Sequence, residues 1–191
     1  MDNLNILIAG VGGQGTVLLA RLIADMALAR DLAVRGSETI GMAQRGGSVV
    51  SHVRIGESHS PLIPHGEADI LLAFEPGEAI RAFGYLRQGG ALAVCDRQLA
   101  AAGAVPAARS AEPPPPLAEL RTRAPNITII SFDKVLQTCG SAKALNVALL
   151  GAAIAANILP FSIGDARAAL RGRVPERFRE LNETALSCAA V

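Results

Sequence analysis

Residues 5–23 read NILIAGVGGQGTVLLARLI: an apolar run, a cluster of glycines, then a second apolar run with a different period. The first run, LNILIA at 4–9, has the unbroken hydrophobicity of a strand buried on both faces. In the second, Leu18, Leu19, Leu22, Ile23 and Met26 recur at helical spacing within residues 14–30. A strand that turns through glycines straight into a helix constrains the fold more than any other feature. It is the opening unit of an open α/β sheet. Gly10, Gly12 and Gly15 also satisfy G-x-G-x-x-G, with Gly13 in addition. Such a loop lets backbone approach a phosphate, and the helix start offers unpaired N–H groups and the positive end of a dipole. Glu38, 23 residues past Gly15, stands where a ribose-binding acid can sit. The same glycines also serve a tight turn, or a helix start that faces a partner's carboxylate. A nicotinamide enzyme is disfavoured, because the second half of the chain offers no candidate site for hydride transfer.

Later segments continue the α/β pattern. Residues 32–37 read as a second strand. DILLAF (69–74), ALAVC (91–95) and NITIIS (126–131) read as buried strands. Pro76 opens a helix that runs to about Leu86. Helices are expected at about 133–139, 143–157, 162–171 and 175–188, the last three separated by Pro160 and Pro175. Residues 47–56, GSVVSHVRIG, alternate: Val49, Ser51, Val53 and Ile55 face one way, Val50, His52 and Arg54 the other. The expected fold is therefore an open, mostly parallel, Rossmann-like sheet with helices on both faces. An extra edge strand or hairpin is expected near 47–63, and the C-terminal part is helical. Residues 100–116, rich in Ala and Pro and ending in PPPP, read as a surface loop or a ligand for a proline-binding module. No linker divides the 191 residues, which are read as a single domain, 1–191.

Composition removes several function classes. A formal net charge of +1 leaves no electrostatic footprint for nucleic acid, and 3% aromatics leave no stacking platform for single strands. The three cysteines, Cys95, Cys139 and Cys188, form no C-x-x-C, so a zinc or iron–sulfur site held by this chain alone lacks ligands. Their odd number and wide spacing suit reduced thiols in the cytoplasm. MDNLN shows no basic leader, and the most apolar stretch, 144–159, is short for a membrane span and carries Asn146 and Asn157. No membrane association is expected. His59 and His65 have no metal-ligand spacing, His52 reads as structural or interfacial, Cys95 as a buried thiol, and Glu75 as the cap of the helix that follows it.

Residues 36–65 carry the second cluster, GSETIGMAQRGGSVVSHVRIGESHSPLIPH. Gly41, Gly46 and Gly47 loosen the backbone around Gln44 and Arg45, and Ser48 with nearby N–H groups suits an anion-binding concavity. Arg45, His52 and Arg54 add positive charge, fitting a phosphate, a pyrophosphate or acidic groups of a partner. The candidate residues for phosphate or CoA binding, or for a partner interface, are Gly10, Gly12, Gly13, Gln14 and Gly15 in the first loop. Ser37, Glu38, Gln44, Arg45, Gly46, Gly47 and Ser48 form the second group. Both groups are expected at one edge of the sheet, at the C-terminal ends of strands 1 and 2. No side chain is singled out as catalytic, and none as a metal ligand.

GVGGQG, then GMAQRGGSVVSHVR, then SPLIPHGEADILLAFEP, with NVALLGAAIAANILP and RFRELNETAL beyond them, is an order of motifs that covers nearly the whole chain. It resembles the gamma-type subunits of the 2-oxoacid:ferredoxin oxidoreductases, and among them the small (beta) subunit of indolepyruvate ferredoxin oxidoreductase. The resemblance implies a complex that oxidatively decarboxylates indolepyruvate or another arylpyruvate or 2-oxoacid. The products are an acyl-CoA and electrons passed to ferredoxin. Thiamine pyrophosphate with Mg and the iron–sulfur clusters would belong to a large partner subunit, with CoA as cosubstrate and no cofactor on this chain alone. The chain would be inactive by itself, and the isolated subunit could homodimerise through the face its partner leaves bare. One departure is Ile40, where many members of that family place His before the GM[AS]QRGG motif; it bears on which 2-oxoacid is used. The readings that compete are a free-standing NAD(P)- or nucleotide-binding Rossmann-like enzyme and a ligand-sensing module.

Overall fold

The computed structural model of the protein describes residues 3–39, 47–97 and 115–188. Along the chain run β1 (Leu4–Val11), α1 (Thr16–Leu28), β2 (Val34–Thr39), β3 (Ser48–Ile55), β4 (Ala68–Ala73), α2 (Pro76–Ala82) and β5 (Leu86–Cys95). Then follow α3 (Pro115–Arg123), β6 (Ile127–Ile130), α4 (Phe132–Cys139), α5 (Leu145–Ala155), α6 (Ile163–Arg173) and α7 (Arg179–Cys188). The strands form one six-stranded sheet in the order β2-β3-β1-β4-β5-β6. β1, β4, β5 and β6 are mutually parallel, and β3 runs antiparallel to both β1 and β2.

The mostly parallel α/β sheet is as the sequence led us to expect, with one change of position. The alternating segment is not the edge strand. β3 lies inside the sheet between β1 and β2, and β2 is outermost. Its alternation has a different cause: Ser51 and His52 are buried, at 0% and 5% exposure, yet both are polar. β5 also starts earlier than ALAVC, because Leu86–Gly90 continues the strand through a register shift opposite Ala68 and Ile70. The helix expected to run to about Leu86 stops at Ala82, and Leu86 already belongs to β5. A further difference is α3. The proline run led to a loop reading through 116, but a helix starts at Pro115, a first-turn position where proline fits. Its Leu117 and Leu120 are buried. The remainder of that Ala- and Pro-rich stretch lies outside the described residues.

Two apolar clusters flank the sheet. Ile6, Ile8, Val53 and Leu72 meet α1, α4, α5, α6 and α7 on one face. Leu7, Ala9, Leu71 and Val94 meet α2 and α3 on the other. Successive β1 residues alternate between the clusters, as a strand's period of two requires. The hydrophobic stretch at 144–159 becomes α5, in which every residue from Leu145 to Ile154 is buried. Among the described residues no single helix is long and apolar enough to cross a membrane. α6 starts in a reciprocal cap: Ser162 accepts from the Asp165 N–H, and the Asp165 carboxylate accepts from the Ser162 N–H.

His52 is a core histidine on β3. Its Nδ1 accepts from the Ile63 N–H at 3.1 Å, and its ring meets Tyr85 edge-on at 5.8 Å. Burial lowers its pKa from the ordinary value. The unfolded chain therefore takes up a proton near pH 6.5 that the folded chain still refuses. Stability falls as pH drops from about 6.5 towards the lowered folded value, and this group leaves it flat above 6.5. In His52→Asn, which keeps an acceptor for Ile63, that acid-side loss should disappear. Urea midpoints measured from about pH 5 to pH 8 check it; an unchanged slope in the variant would assign the loss to another group.

Candidate functional site

The C-terminal ends of β1, β2, β4, β5 and β6 share one edge of the sheet, together with the start of β3. Here β1 feeds α1 on one face while β4 feeds α2 on the other. The crevice between them is the place where open α/β sheets bind ligands. The glycine loop forms one wall. Gly10 has no room for a side chain: a Cβ there would lie 2.8 Å from Gln14 Oε1 and 3.0 Å from Phe74 Cδ2. Gly15 occupies the N-cap of α1 at φ 91°, and a Cβ would lie 2.5 Å from Asn146 Nδ2. The chain thus turns sharply and α1 packs close to α5.

The loop is tied down by its own groups. Val11 N–H donates to Gln14 Oε1 at 2.8 Å, and Gln14 N–H donates to the Val11 carbonyl at 3.1 Å. The Gln14 amide then donates to Glu75 Oε1 at 2.5 Å, across the crevice. Glu75 is 3% exposed. Its backbone stands at the N-cap of α2, but its side chain makes no cap hydrogen bond, so the capping role expected of it is not the one it has. It holds the β1–α1 turn instead.

The second cluster is joined to the first at its far end. Gly12 N–H donates to the Gly47 carbonyl at 2.9 Å. Ser48 Oγ donates to Glu78 Oε2 at 2.5 Å, and Arg81 lies 3.6 Å from the same carboxylate. Glu78 is 6% exposed. Glu75 stands at the N-cap of α2 and Glu78 in its first turn. Each meets one of the two glycine-rich segments. Sequence reasoning passed over Glu78 altogether. The signal was present as EPGE, two acids around a helix start directly after a buried strand.

Ser37 and Glu38 are not brought to the same place. They lie on β2, with β3 between them and the glycine loop. Together with Ala20, Ala24, Val34 and Gly36 they line a recess of about 450 Å³ under α1. Glu38 sits 3.7 Å from Arg21. Gln44, Arg45 and Gly46 lie outside the described residues, as does Ile40. A larger groove, about 950 Å³, follows α1 from Gly15 along α6. Ion pairs Arg30–Asp165 and Arg173–Asp25 join the two helices there.

This edge can recognise a partner or an anion. The first-turn N–H groups of Thr16, Val17 and Leu18 have no intrahelical acceptor, and no side chain caps them. The acidic side chains tied to the loop, Glu75 and Glu78, are both buried.

The match that decides the family is to a model described as pyruvate ferredoxin/flavodoxin oxidoreductase, over residues 5–190. The chain belongs to that family. The resemblance drawn from GVGGQG and the motifs after it is borne out. A relative from Methanothermobacter thermautotrophicus named indolepyruvate oxidoreductase subunit IorB is 37% identical, the alignment covering 94% of this chain and 92% of the relative. A protein of the same name from Archaeoglobus fulgidus is 36% identical, covering 96% and 92%. The keto/oxoacid ferredoxin oxidoreductase gamma subunit of Geobacter sulfurreducens has the same fold, with TM-score 0.67 and 26% identity over 98% of this chain and 96% of that one. This chain is a small, IorB-like subunit of a 2-oxoacid:ferredoxin oxidoreductase.

A thiolate-bound iron–sulfur cluster takes four cysteines. The chain has three, and among the described residues no three His, Cys, Asp or Glu side chains converge as a metal site. The donor set does not fit a cluster.

Proposed function

We infer that this chain, as a single domain, is the small, non-catalytic subunit of a thiamine-dependent complex. The complex oxidises indolepyruvate or a related arylpyruvate to its acyl-CoA and passes electrons to ferredoxin. The observation that carries this reading is the identity to the two IorB relatives at nearly full length on both sides. Thiamine pyrophosphate, Mg and the clusters belong to a large partner subunit in this reading. The cysteine count supports that division.

The chain's own contribution is a docking edge. Gly10–Gly15, Gly47, Ser48, Glu75 and Glu78 are fastened to each other by hydrogen bonds rather than left open. A prearranged edge of this kind binds a protein without paying again for loop ordering. CoA contact, if this edge makes one, falls to the first-turn N–H groups of α1, outside the Gln14–Glu75 bond.

The test is capture of the tagged chain from an extract of its own host. A brown complex with one large partner is expected, reducing a dye only when an arylpyruvate and CoA are both present. Activity of the isolated chain on any 2-oxoacid would sink the reading. So would elution of the chain alone from an extract that retains the activity. In that case a thermal shift with NAD, NADP or ATP becomes the measurement that separates a nucleotide enzyme from a sensing module.

A further inference from the structure

Cys139 and Cys188 are 49 positions apart in the sequence, and nothing in their spacing relates them. The fold brings them together. Cys139 is the last residue of α4 and Cys188 the last of α7, and the two helices pack side by side. Burial first, then the neighbouring Cys188, pushes the Cys139 thiol up from its ordinary pKa. Cys188 Sγ also lies 3.8 Å from the Lys134 carbonyl, on the same helix as Cys139. Cys188 is 7% exposed, whereas Cys139 is half-buried and open to a small reagent. Cys95 takes no part. It is fully buried in β5, and burial raises its thiol to about 12.

We propose that Cys139 and Cys188 form a dithiol site at the packed ends of α4 and α7. It closes to an intramolecular disulfide with small disulfide oxidants and chelates trivalent arsenicals. The first step is attack of the Cys139 thiolate on one sulfur of oxidised glutathione, which releases one glutathione thiolate. Cys188, deprotonated by solvent, then attacks the Cys139 sulfur and expels the second glutathione. The protein loses two hydrogens and two electrons, and one glutathione disulfide becomes two thiols. The half-open position of Cys139 makes it the entry sulfur, and the contact of Cys188 makes it the resolving one. Because the Cys139 thiol is raised, closure is slow at neutral pH and accelerates as pH rises.

The bridge would close a loop that spans α5 and α6, tying the last helix of the chain to α4. Closing a loop of that length in the unfolded chain should raise the melting temperature by roughly 5–10 °C.

The experiment uses the full folded chain. Reduced protein is incubated with oxidised glutathione at about pH 8.5, quenched with acid and measured by intact mass. The expected product is two hydrogens lighter, carries no glutathione, and gives a 139–188 cross-linked peptide. Phenylarsine oxide should form a one-to-one adduct that excess dithiol removes and excess monothiol does not. Cys139→Ser, at the half-exposed position, should show neither product. A lasting glutathione adduct on Cys139 without closure would overturn the proposal. So would thiols that stay unreactive in the folded chain while the urea-unfolded chain reacts at once.

Discussion

Gly15→Ala should cost about 2–5 kcal/mol of stability, the sum of a backbone term and a steric term. The backbone term arises because Gly15 sits at φ 91°, ψ 26°, where an L side chain is strained by ~1–2 kcal/mol. The steric term arises because the new Cβ would lie 2.5 Å from Asn146 Nδ2 and 3.3 Å from its Cγ. Asn146 cannot retreat freely: it is buried, and its Oδ1 accepts from the Val147 N–H at 2.8 Å. Crowding of that kind costs ~1–3 kcal/mol. Gly13→Ala separates the two terms. Gly13 has φ 99°, but a Cβ there meets nothing within 4 Å. It should lose only the backbone share. Urea denaturation of both variants beside the parent makes the comparison. Equal losses at the two positions would show that the approach of α1 to α5 at Asn146 contributes nothing.

The sequence-to-structure gap has physical causes that differ from element to element. β1, α1, β4 and α5 were legible because each is buried widely enough for its periodicity or its unbroken apolar run to stand out. The interior place of β3 was not legible. Alternation normally signals one solvated face, but here both faces are covered, and His52 satisfies its nitrogen with the Ile63 N–H. α3 was hidden by the prolines at its start, which read as a loop although proline suits a helix's first turn. In the candidate site, the glycines and Ser48 were legible by type and Glu78 was not, because its partner lies 30 residues upstream and only the β3–α2 approach joins them. Ser37 and Glu38 were expected beside the glycine loop at the end of the second strand, but the strand inserted between β2 and β1 keeps them from it. The pairing of Cys139 with Cys188 is set by helix packing, which spacing along the chain does not encode.

The crevice between β1 and β4 gives this edge its character. In a fold of this class α1 and α2 leave the sheet on opposite faces, and the gap between their starts is where a dinucleotide would lie. In this chain the gap is crossed by the Gln14–Glu75 hydrogen bond. Gln14 uses both ends of its amide, the oxygen on Val11 N–H and the nitrogen on Glu75. A free-standing nucleotide enzyme needs that gap open. A docking subunit gains from having it closed, since a rigid edge loses less entropy on association.

That contrast gives the second large effect. Glu75→Ala should destabilise the chain by about 1–3 kcal/mol, because it leaves the Gln14 amide partly buried without its acceptor. Gln14→Ala should cost less, since Glu75 makes interactions beyond this one. A double-mutant cycle across the pair should return a coupling of about 0.5–1.5 kcal/mol, the net range for an intramolecular hydrogen bond. Glu75→Gln, which keeps an acceptor oxygen at the same place, should recover most of the stability. Under the proposed function the same substitutions report on docking. Glu75→Ala should weaken capture of the large subunit about tenfold or more, equivalent to the loss of one such hydrogen bond's ordering of the edge. Glu75→Gln should restore it. A strong coupling in the isolated chain with no change in capture would mean that the bond shapes the turn but that the partner binds another face. The groove between α1 and α6 would then be the face to probe. A weak coupling together with dinucleotide binding would instead mean that the crevice opens, and the docking reading of this edge would fall with it.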